Sequence, residues 1–124
     1  MNIPSIFKLA KNVAQLSTHN RCHLGAIIVA NGTPISVGFN KGKSNPNAPF
    51  CGLHAEISAI KNSGRTDLKG CTMFVYRETK RGIIAMAKPC PNCQQVLESL
   101  HIKRVFYSTD YKEGFPYFEV EEYS

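Results

Sequence analysis

Two short motifs constrain this chain more than any other feature. The first is His54-Ala55-Glu56, and the second is Pro89-Cys90-Pro91-Asn92-Cys93. Together they offer one histidine and two cysteines as metal ligands, one group fewer than the four that close a structural zinc site. A three-ligand zinc site keeps a position for water, and a carboxylate close to a ligand is suited to move the protons of that water. The fold must therefore bring together two segments that are distant in sequence.

Both motifs, in this order, are typical of the zinc-dependent cytidine deaminase superfamily, which the chain resembles. That superfamily contains cytidine and deoxycytidylate deaminases, tRNA adenosine deaminases and deaminases of polynucleotide cytosine. The resemblance implies a Zn²⁺ ion held by His54, Cys90 and Cys93, with Glu56 as the catalytic proton carrier. It implies a hydrolase acting on the C–N bond of a cyclic amidine. The expected reaction converts a cytosine nucleoside or nucleotide to its uracil product and releases ammonia.

The same residues permit other interpretations. Cys51-Gly52-Leu53-His54 has C-x-x-H spacing, and with Cys90 and Cys93 it would complete a closed Cys₃His site. The chain would then be a non-catalytic, zinc-stabilised binding module, and Glu56 would have no role. Cys90 and Cys93 are alternatively a redox pair, although such a motif normally follows an early strand of a βαβ unit. Chance is a further alternative, with His54 an ordinary core histidine.

The resemblance also implies several contacts to the substrate. Asn40 matches a position where relatives hold the sugar or base, and the alternative is a turn residue that ends a strand. The backbone of Ala55 is expected to face the edge of the base. Phe39 is a candidate to stack on the base, with a core position as the alternative. Lys88 is a candidate for a phosphate contact, with an exposed, solvated lysine as the alternative.

The charge balance favours an anionic substrate. The chain has 15 Lys and Arg against 9 Asp and Glu, a net charge of +6, which suits a nucleotide phosphate or a nucleic-acid backbone. Lys41, Lys43 and Arg81 are further phosphate candidates. We expect a small nucleoside or nucleotide as the ligand. Single-stranded DNA, RNA or tRNA is the alternative, because the aromatic residues at 111–118 are able to stack on bases.

Length and composition indicate one globular domain over residues 1–124. The chain is 43% hydrophobic and 19% charged, without an apolar run of membrane-spanning length or a secretory N-terminal pattern. We therefore expect a cytoplasmic location and no membrane partner. Five cysteines, two of them in a C-x-x-C, do not suggest disulfides, and Cys22, Cys51 and Cys71 are expected to be buried thiols. The resemblance also makes a homo-oligomer the expected assembly.

Hydrophobic periodicity predicts an α/β fold. Apolar residues at helical spacing predict an amphipathic first helix, and Asn31-Gly32 is a hairpin signal. The predicted helices begin near 3, 53 and 90, and the predicted extended segments are 24–30, 35–39, 71–77, 83–87, 103–108 and 118–123. This order predicts three α/β/α layers: a mixed central sheet of about five strands with helices on both faces. Strands separated by a helix should be parallel.

Overall fold

The computed structural model describes residues 3–18, 22–40, 55–87 and 91–109, together with the backbone of 118–122. The elements found there follow the predicted order. They are α1 (Ile3–Ala14), β1 (Cys22–Ala30), β2 (Thr33–Phe39), α2 (Ala55–Ser63), β3 (Thr72–Thr79), β4 (Ile84–Ala85), α3 (Pro91–Ser99), β5 (Arg104–Ser108) and β6 (Phe118–Glu122).

The strands form one mixed sheet, as predicted. The strand order is β2-β1-β3-β5-β6, and the short β4 pairs with β3. β3 and β5, which are separated by α3, are parallel, whereas the other pairs are antiparallel. Asn31 and Gly32 connect β1 and β2 with positive φ angles of 53° and 77°, the backbone that a two-residue hairpin requires.

The first face of the sheet packs against α1. The buried residues of α1 are Ile6, Phe7, Ala10, Val13 and Ala14. Phe74 of β3 meets the Phe7 ring edge-to-face at a centroid distance of 5.3 Å and stacks on Phe106 of β5 at 4.7 Å. Aromatic pairs in these arrangements stabilise a core beyond the area that they bury.

The opposite face packs against α2 and α3. Alternate strand residues, among them Ile28, Val75 and Val105, join Ala59 of α2 and Leu97 of α3 in a second core cluster. Because successive side chains of a strand point to opposite faces, β1, β3 and β5 each contribute to both clusters. The three-layer α/β/α prediction is confirmed.

Two glycines allow the helices to approach the sheet closely. A Cβ atom at Gly25 would lie 2.2 Å from the Ala10 carbonyl oxygen in α1, and a Cβ atom at Gly38 would lie 2.3 Å from the Ala59 amide nitrogen in α2. Both distances are shorter than any van der Waals contact, so only glycine fits there.

Side chains fix α2 against β2. The Ser36 hydroxyl donates to the Ala59 carbonyl oxygen at 2.6 Å, and Asn62 Nδ2 donates to the Val37 carbonyl oxygen at 2.8 Å. These bonds, with the close approach at Gly38, set the position of the α2 N-terminus.

β4 is shorter than the extended segment predicted at 83–87, and it bridges two strands. Ala85 pairs with Arg77 of β3. The Ser108 hydroxyl of β5 donates to the Ala85 carbonyl oxygen at 2.8 Å, and the Ala87 amide donates to the Ser108 carbonyl oxygen at 2.8 Å. The segment before α3 is therefore attached to the end of β5.

Cys22 and Cys71 are buried free thiols, as predicted, whereas Cys51 lies outside the described residues. None of the helices within the described ranges is both long and apolar enough to cross a membrane.

Candidate active site

The candidate site lies at one end of the sheet. β2, β3 and β5 run in the same direction, since β1 is antiparallel to both β2 and β3, and β3 is parallel to β5. α2 follows β2, and the segment that leads into α3 is bonded through the Ala87 amide to Ser108 at the end of β5, so the N-termini of both helices lie near the carboxyl ends of these strands. Ligands of open α/β sheets bind outside this end.

Glu56 is the second residue of α2, and its side chain is almost completely buried. The residue is 3% exposed, and its Oε1 atom has no hydrogen-bond partner in the described part of the chain. Burial raises the pKa of the Glu56 carboxyl, against the lowering effects of a hydrogen bond with its own backbone and of one with the Cys93 thiol. A raised pKa suits a carboxyl group that must both accept and release a proton near neutral pH.

Cys93 lies in the first turn of α3 and is a buried free thiol. Its hydrogen bond with Glu56 joins the two motifs that the sequence singles out. The positive end of the helix dipole favours the thiolate form of a cysteine in this position. α3 begins with Pro91, which suits a first helical turn because its missing N–H would have no helical partner.

The described part of the site fits a zinc ion. A buried thiol at a helix N-terminus is a zinc ligand of the expected type, and a buried carboxyl oxygen without a partner requires a donor such as a water molecule. The other two predicted ligands, His54 and Cys90, lie outside the described residues. Within the described ranges, no three His, Cys, Asp or Glu side chains form a group that could hold a metal ion.

Asn40 follows β2 and is 1% exposed. Its Oδ1 accepts from the Leu24 amide at 2.8 Å, and its Nδ2 donates to the Cys22 carbonyl oxygen at 3.0 Å. Asn40 therefore fixes the start of β1 to the end of β2. By strand alternation its side chain lies on the α2 side, because Ser36 and Gly38 both contact α2.

Ala55 is the first residue of α2 and is fully buried beside Gly38. Its backbone and the Glu56 side chain thus share one helix start. Phe39 packs against the core cluster on the α1 face. This is the core position predicted from the sequence as the alternative to stacking on the base. The structure does not bring it to the α2 side with Glu56.

The remaining candidates lie outside the described residues or at a distance from the site. Arg81 is exposed in the turn between β3 and β4. The candidates outside the described ranges are Lys41, Lys43, Lys88, Cys51 and the aromatic residues at 111–117, and the side chain of Phe118 is also not described.

Sequence reasoning missed two polar residues near this end of the sheet. Arg77 Nε and Thr109 Oγ1 are buried without a hydrogen-bond partner among the described residues. One signal was available for Arg77: it is one of two adjacent charged residues, with Glu78, in an otherwise uncharged strand, at an alternate position with Met73 and Val75. No local pattern distinguishes Thr109.

The chain is similar to several known deaminases. It is 33% identical over 70 residues to a deoxycytidylate deaminase of Pongo abelii, covering 56% of this chain and 33% of the relative. It is 32% identical over 102 residues to the tRNA-specific adenosine deaminase subunit tad2 of Schizosaccharomyces pombe, covering 81% of this chain and 24% of the relative. The matches thus span a third or less of these curated relatives.

A solved structure and a family model give broader matches. The dCMP deaminase of cyanophage S-TIM5 superposes with a TM-score of 0.66 at 26% identity, covering 88% of this chain and 86% of that one. The same enzyme has been solved in complex with dCMP and dUMP, with a TM-score of 0.65, 25% identity and coverage of 86% and 80%. Residues 2–109 match the family model described as the cytidine and deoxycytidylate deaminase zinc-binding region. The chain therefore belongs to the cytidine and deoxycytidylate deaminase family.

Proposed function

We propose that this chain deaminates a cytosine nucleotide of the dCMP type by zinc-dependent hydrolysis. The observation that carries the proposal is the buried Glu56 carboxyl group, which has one unpartnered oxygen and touches Cys93. The family, the deoxycytidylate deaminase relatives and the cyanophage enzyme support a cytosine nucleotide as substrate.

His54, Cys90 and Cys93 would hold the zinc ion. When bound, zinc supplies Lewis-acid chemistry that lowers the pKa of a water molecule toward about 7. The structure supports this ligand set at Cys93, whose thiol is buried in the first turn of α3.

Glu56 would carry the protons of the reaction. It accepts one from the attacking water, and the water oxygen forms a bond to C4 of the base. Glu56 then gives that proton to the ring nitrogen. It takes the second proton from the oxygen now bonded to C4 and passes it to the C4 amino group, so that the C4–N bond breaks and ammonia leaves. The raised pKa of the Glu56 carboxyl favours its role as acceptor and donor in turn.

Asn40 and Ala55 would orient the substrate. One hydrogen bond accepted from the Leu24 amide and one donated to the Cys22 carbonyl oxygen fix the Asn40 side-chain amide. A fixed polar group positions a sugar hydroxyl at lower entropic cost than a mobile one. The Ala55 amide is at a helix N-terminus, where backbone N–H groups lack helical partners, so it is a donor for the base edge.

A polynucleotide substrate is the second candidate. The match to the S. pombe tRNA deaminase subunit covers 81% of this chain, and the net charge of +6 suits a phosphate backbone. Binding to a polynucleotide would weaken steeply with salt, because several phosphate contacts release counterions.

A product assay tests the proposed function. The panel contains cytidine, deoxycytidine, dCMP, dCTP, adenosine, and short single-stranded DNA and RNA. The blank is the Glu56→Ala protein at equal zinc content. We expect ammonia and uracil product from dCMP, absent in the blank. Turnover of only an oligonucleotide would replace the nucleotide proposal with the polynucleotide candidate. No turnover of any substrate at one zinc per chain would contradict both.

A further inference from the structure

β4 lies in a gap between β3 and β5. β1 pairs with β3 from Thr72 to Thr79, which is the whole length of β3, so β4 must pair on the other side of β3. The pairing with β5 on that side reaches as far as Val75, and β4 pairs beyond it, with Arg77 and Glu78. The two parallel strands therefore separate at this point, and β4 enters between them.

The Ser108 hydroxyl joins the three strands where they separate. It accepts a hydrogen bond from the Arg77 backbone amide of β3 at 3.0 Å and donates one to the Ala85 carbonyl oxygen of β4 at 2.8 Å. Ser108 is the last residue of β5 and is 1% exposed. A hydroxyl is a small side-chain group that can both accept and donate through one atom. An alanine at this position would make neither contact.

Three consecutive residues that lead toward α3 are held at this junction. Ala85 accepts from the Ser108 hydroxyl, and the Ala87 amide donates to the Ser108 carbonyl oxygen at 2.8 Å. Between them, the Met86 carbonyl oxygen accepts from Arg77 Nη1 at 3.4 Å. Two of these three bonds are made by Ser108. The backbone of residues 85–87 is therefore fixed to the ends of β3 and β5.

The fixed segment comes directly before the second of the two sequence motifs. Only Lys88 and Pro89 separate Ala87 from Cys90, so the position of Ala87 limits where Cys90 can lie. Cys93 follows in the first turn of α3, where it is buried. A protein binds a metal ion more tightly when its ligands are held in place before the ion arrives, because less ordering is then required on binding.

We propose that Ser108 is a positioning residue for the zinc site, which fixes the segment before Cys90 and so raises the affinity of the protein for zinc. This inference rests on the proposed function, because the ligand set is that of the proposed deaminase. The Ser108 hydroxyl is occupied by two backbone groups, so it acts through the backbone of residues 85–87 and not as a ligand of the ion.

Competition with a chromogenic zinc chelator measures the effect without any substrate. Groups that orient metal ligands typically change metal affinity by about 10- to 100-fold. In Ser108→Ala we expect the dissociation constant for zinc to rise about 10-fold, the lower end of that range, because Ser108 acts on the segment before the ligands. Ser108→Thr keeps the hydroxyl and should bind zinc more tightly than Ser108→Ala does.

Ser63→Ala is the matched control, because the Ser63 hydroxyl also makes one backbone bond of each kind. It donates to the Ile60 carbonyl oxygen at 2.6 Å and accepts from the Arg65 amide at 3.1 Å. Ser63 is the last residue of α2, at the opposite end from Glu56. The zinc affinity of Ser63→Ala should equal that of the wild type, and circular dichroism of the metal-free proteins checks that every variant is folded.

Two outcomes of this comparison would overturn the proposal. One is an equal zinc affinity of the folded Ser108→Ala and Ser63→Ala proteins, which would show that the Ser108 hydroxyl has no particular effect on the site. The other is equally weak binding by Ser108→Thr and Ser108→Ala, which would show that the hydroxyl is not the group responsible.

Zinc binding and turnover of dCMP, measured on the same proteins, separate this proposal from the proposed function. Weaker zinc binding in Ser108→Ala, with Ser63→Ala unchanged, would support the positioning role even if the wild type deaminated nothing. Turnover of dCMP by the wild type, with unaltered zinc affinity in Ser108→Ala, would overturn the positioning role and leave the proposed function standing. A wild type that binds no zinc would overturn both.

Discussion

The two faces of the sheet each bury one glutamate near the same end, and the two side chains differ in their partners. Glu56 and Glu78 are both 3% exposed. Glu78, on the α1 face, accepts from the Tyr76 hydroxyl at 3.1 Å and from Gln15 Nε2, and its Oε1 lies 4.0 Å from His23 Nδ1. On the opposite face, Oε1 of Glu56 has no partner among the described residues.

Glu56 and Glu78 are therefore equally buried but have different roles. Gln15 follows α1 and Tyr76 belongs to β3, so the paired Glu78 connects a helix end to the sheet. A fully satisfied buried network makes a structure more rigid. An unpaired buried carboxyl costs stability, and such costs are concentrated at functional sites. The comparison predicts that Glu78 contributes to stability and Glu56 to chemistry.

The largest expected effect on stability is that of Glu78→Ala. It removes the acceptor for Tyr76 and Gln15 and leaves two donors unpaired, which should lower the free energy of unfolding by about 3 kcal/mol. Urea denaturation of the metal-free protein measures this change. In the matched variant Glu56→Gln, the free energy of unfolding should stay equal or rise, because a neutral amide replaces a buried carboxyl. The reverse order of the two variants would contradict the comparison.

Gly25 and Gly38 allow the two faces of the sheet to be compared through the packing of the helix backbones. Gly25→Ala and Gly38→Ala each force a Cβ atom against a helix backbone, and overpacking of this kind costs about 1 to 3 kcal/mol. Both should lower the melting temperature, and only Gly38→Ala should also lower kcat per folded molecule, since it displaces α2 and Glu56. Equal kcat in the two folded variants would show that the position of α2 does not matter to the reaction.

The smallest expected effect concerns Tyr76 and alkaline pH. Burial, followed by the charge of Glu78 and the hydrogen bond to it, raises the pKa of the Tyr76 phenol. The folded state therefore keeps this proton where the unfolded chain, with a tyrosine pKa of about 10, releases it. The stability from the neutral phenol is complete below about pH 10 and is lost as the pH rises further.

Tyr76→Phe should lower the free energy of unfolding by about 1 kcal/mol at neutral pH through the lost hydrogen bond. It should also make the decline above pH 10 less steep. Urea titrations at several pH values measure both effects, and identical alkaline declines in the two proteins would contradict the role of this phenol.

Most of the fold followed from local patterns. Helical spacing of apolar residues predicted α1, and the Asn31-Gly32 turn predicted the β1–β2 hairpin. The Glu56–Cys93 contact joins the two motifs that were singled out, because each lies at the start of a helix and both helices pack on the same face of the sheet. Local propensity and layer geometry lead to the same arrangement here.

The remaining features depend on pairing between distant segments. Arg77 and Ala85 become neighbours only through the antiparallel pairing of β3 and β4, which neither strand encodes alone. Phe39 lies on the α1 side because successive side chains of β2 point to opposite faces of the sheet. A shift of one residue in the pairing register of β2 would place Phe39 on the α2 side. Glu78 is buried, and its partners are Tyr76 of β3 and Gln15, which follows α1. The sequence alone does not show that Gln15 lies beside Glu78.

The most direct test measures turnover of dCMP by the wild type, Glu56→Gln and Glu78→Gln at equal zinc content and equal folded fraction. We predict that Glu56→Gln retains zinc and loses turnover by about 10²- to 10⁴-fold, the usual contribution of a general acid and base. Glu78→Gln should stay within a few-fold of the wild type, because it lies on the opposite face. Turnover near that of the wild type in Glu56→Gln, or an equal loss in both variants, would contradict the account.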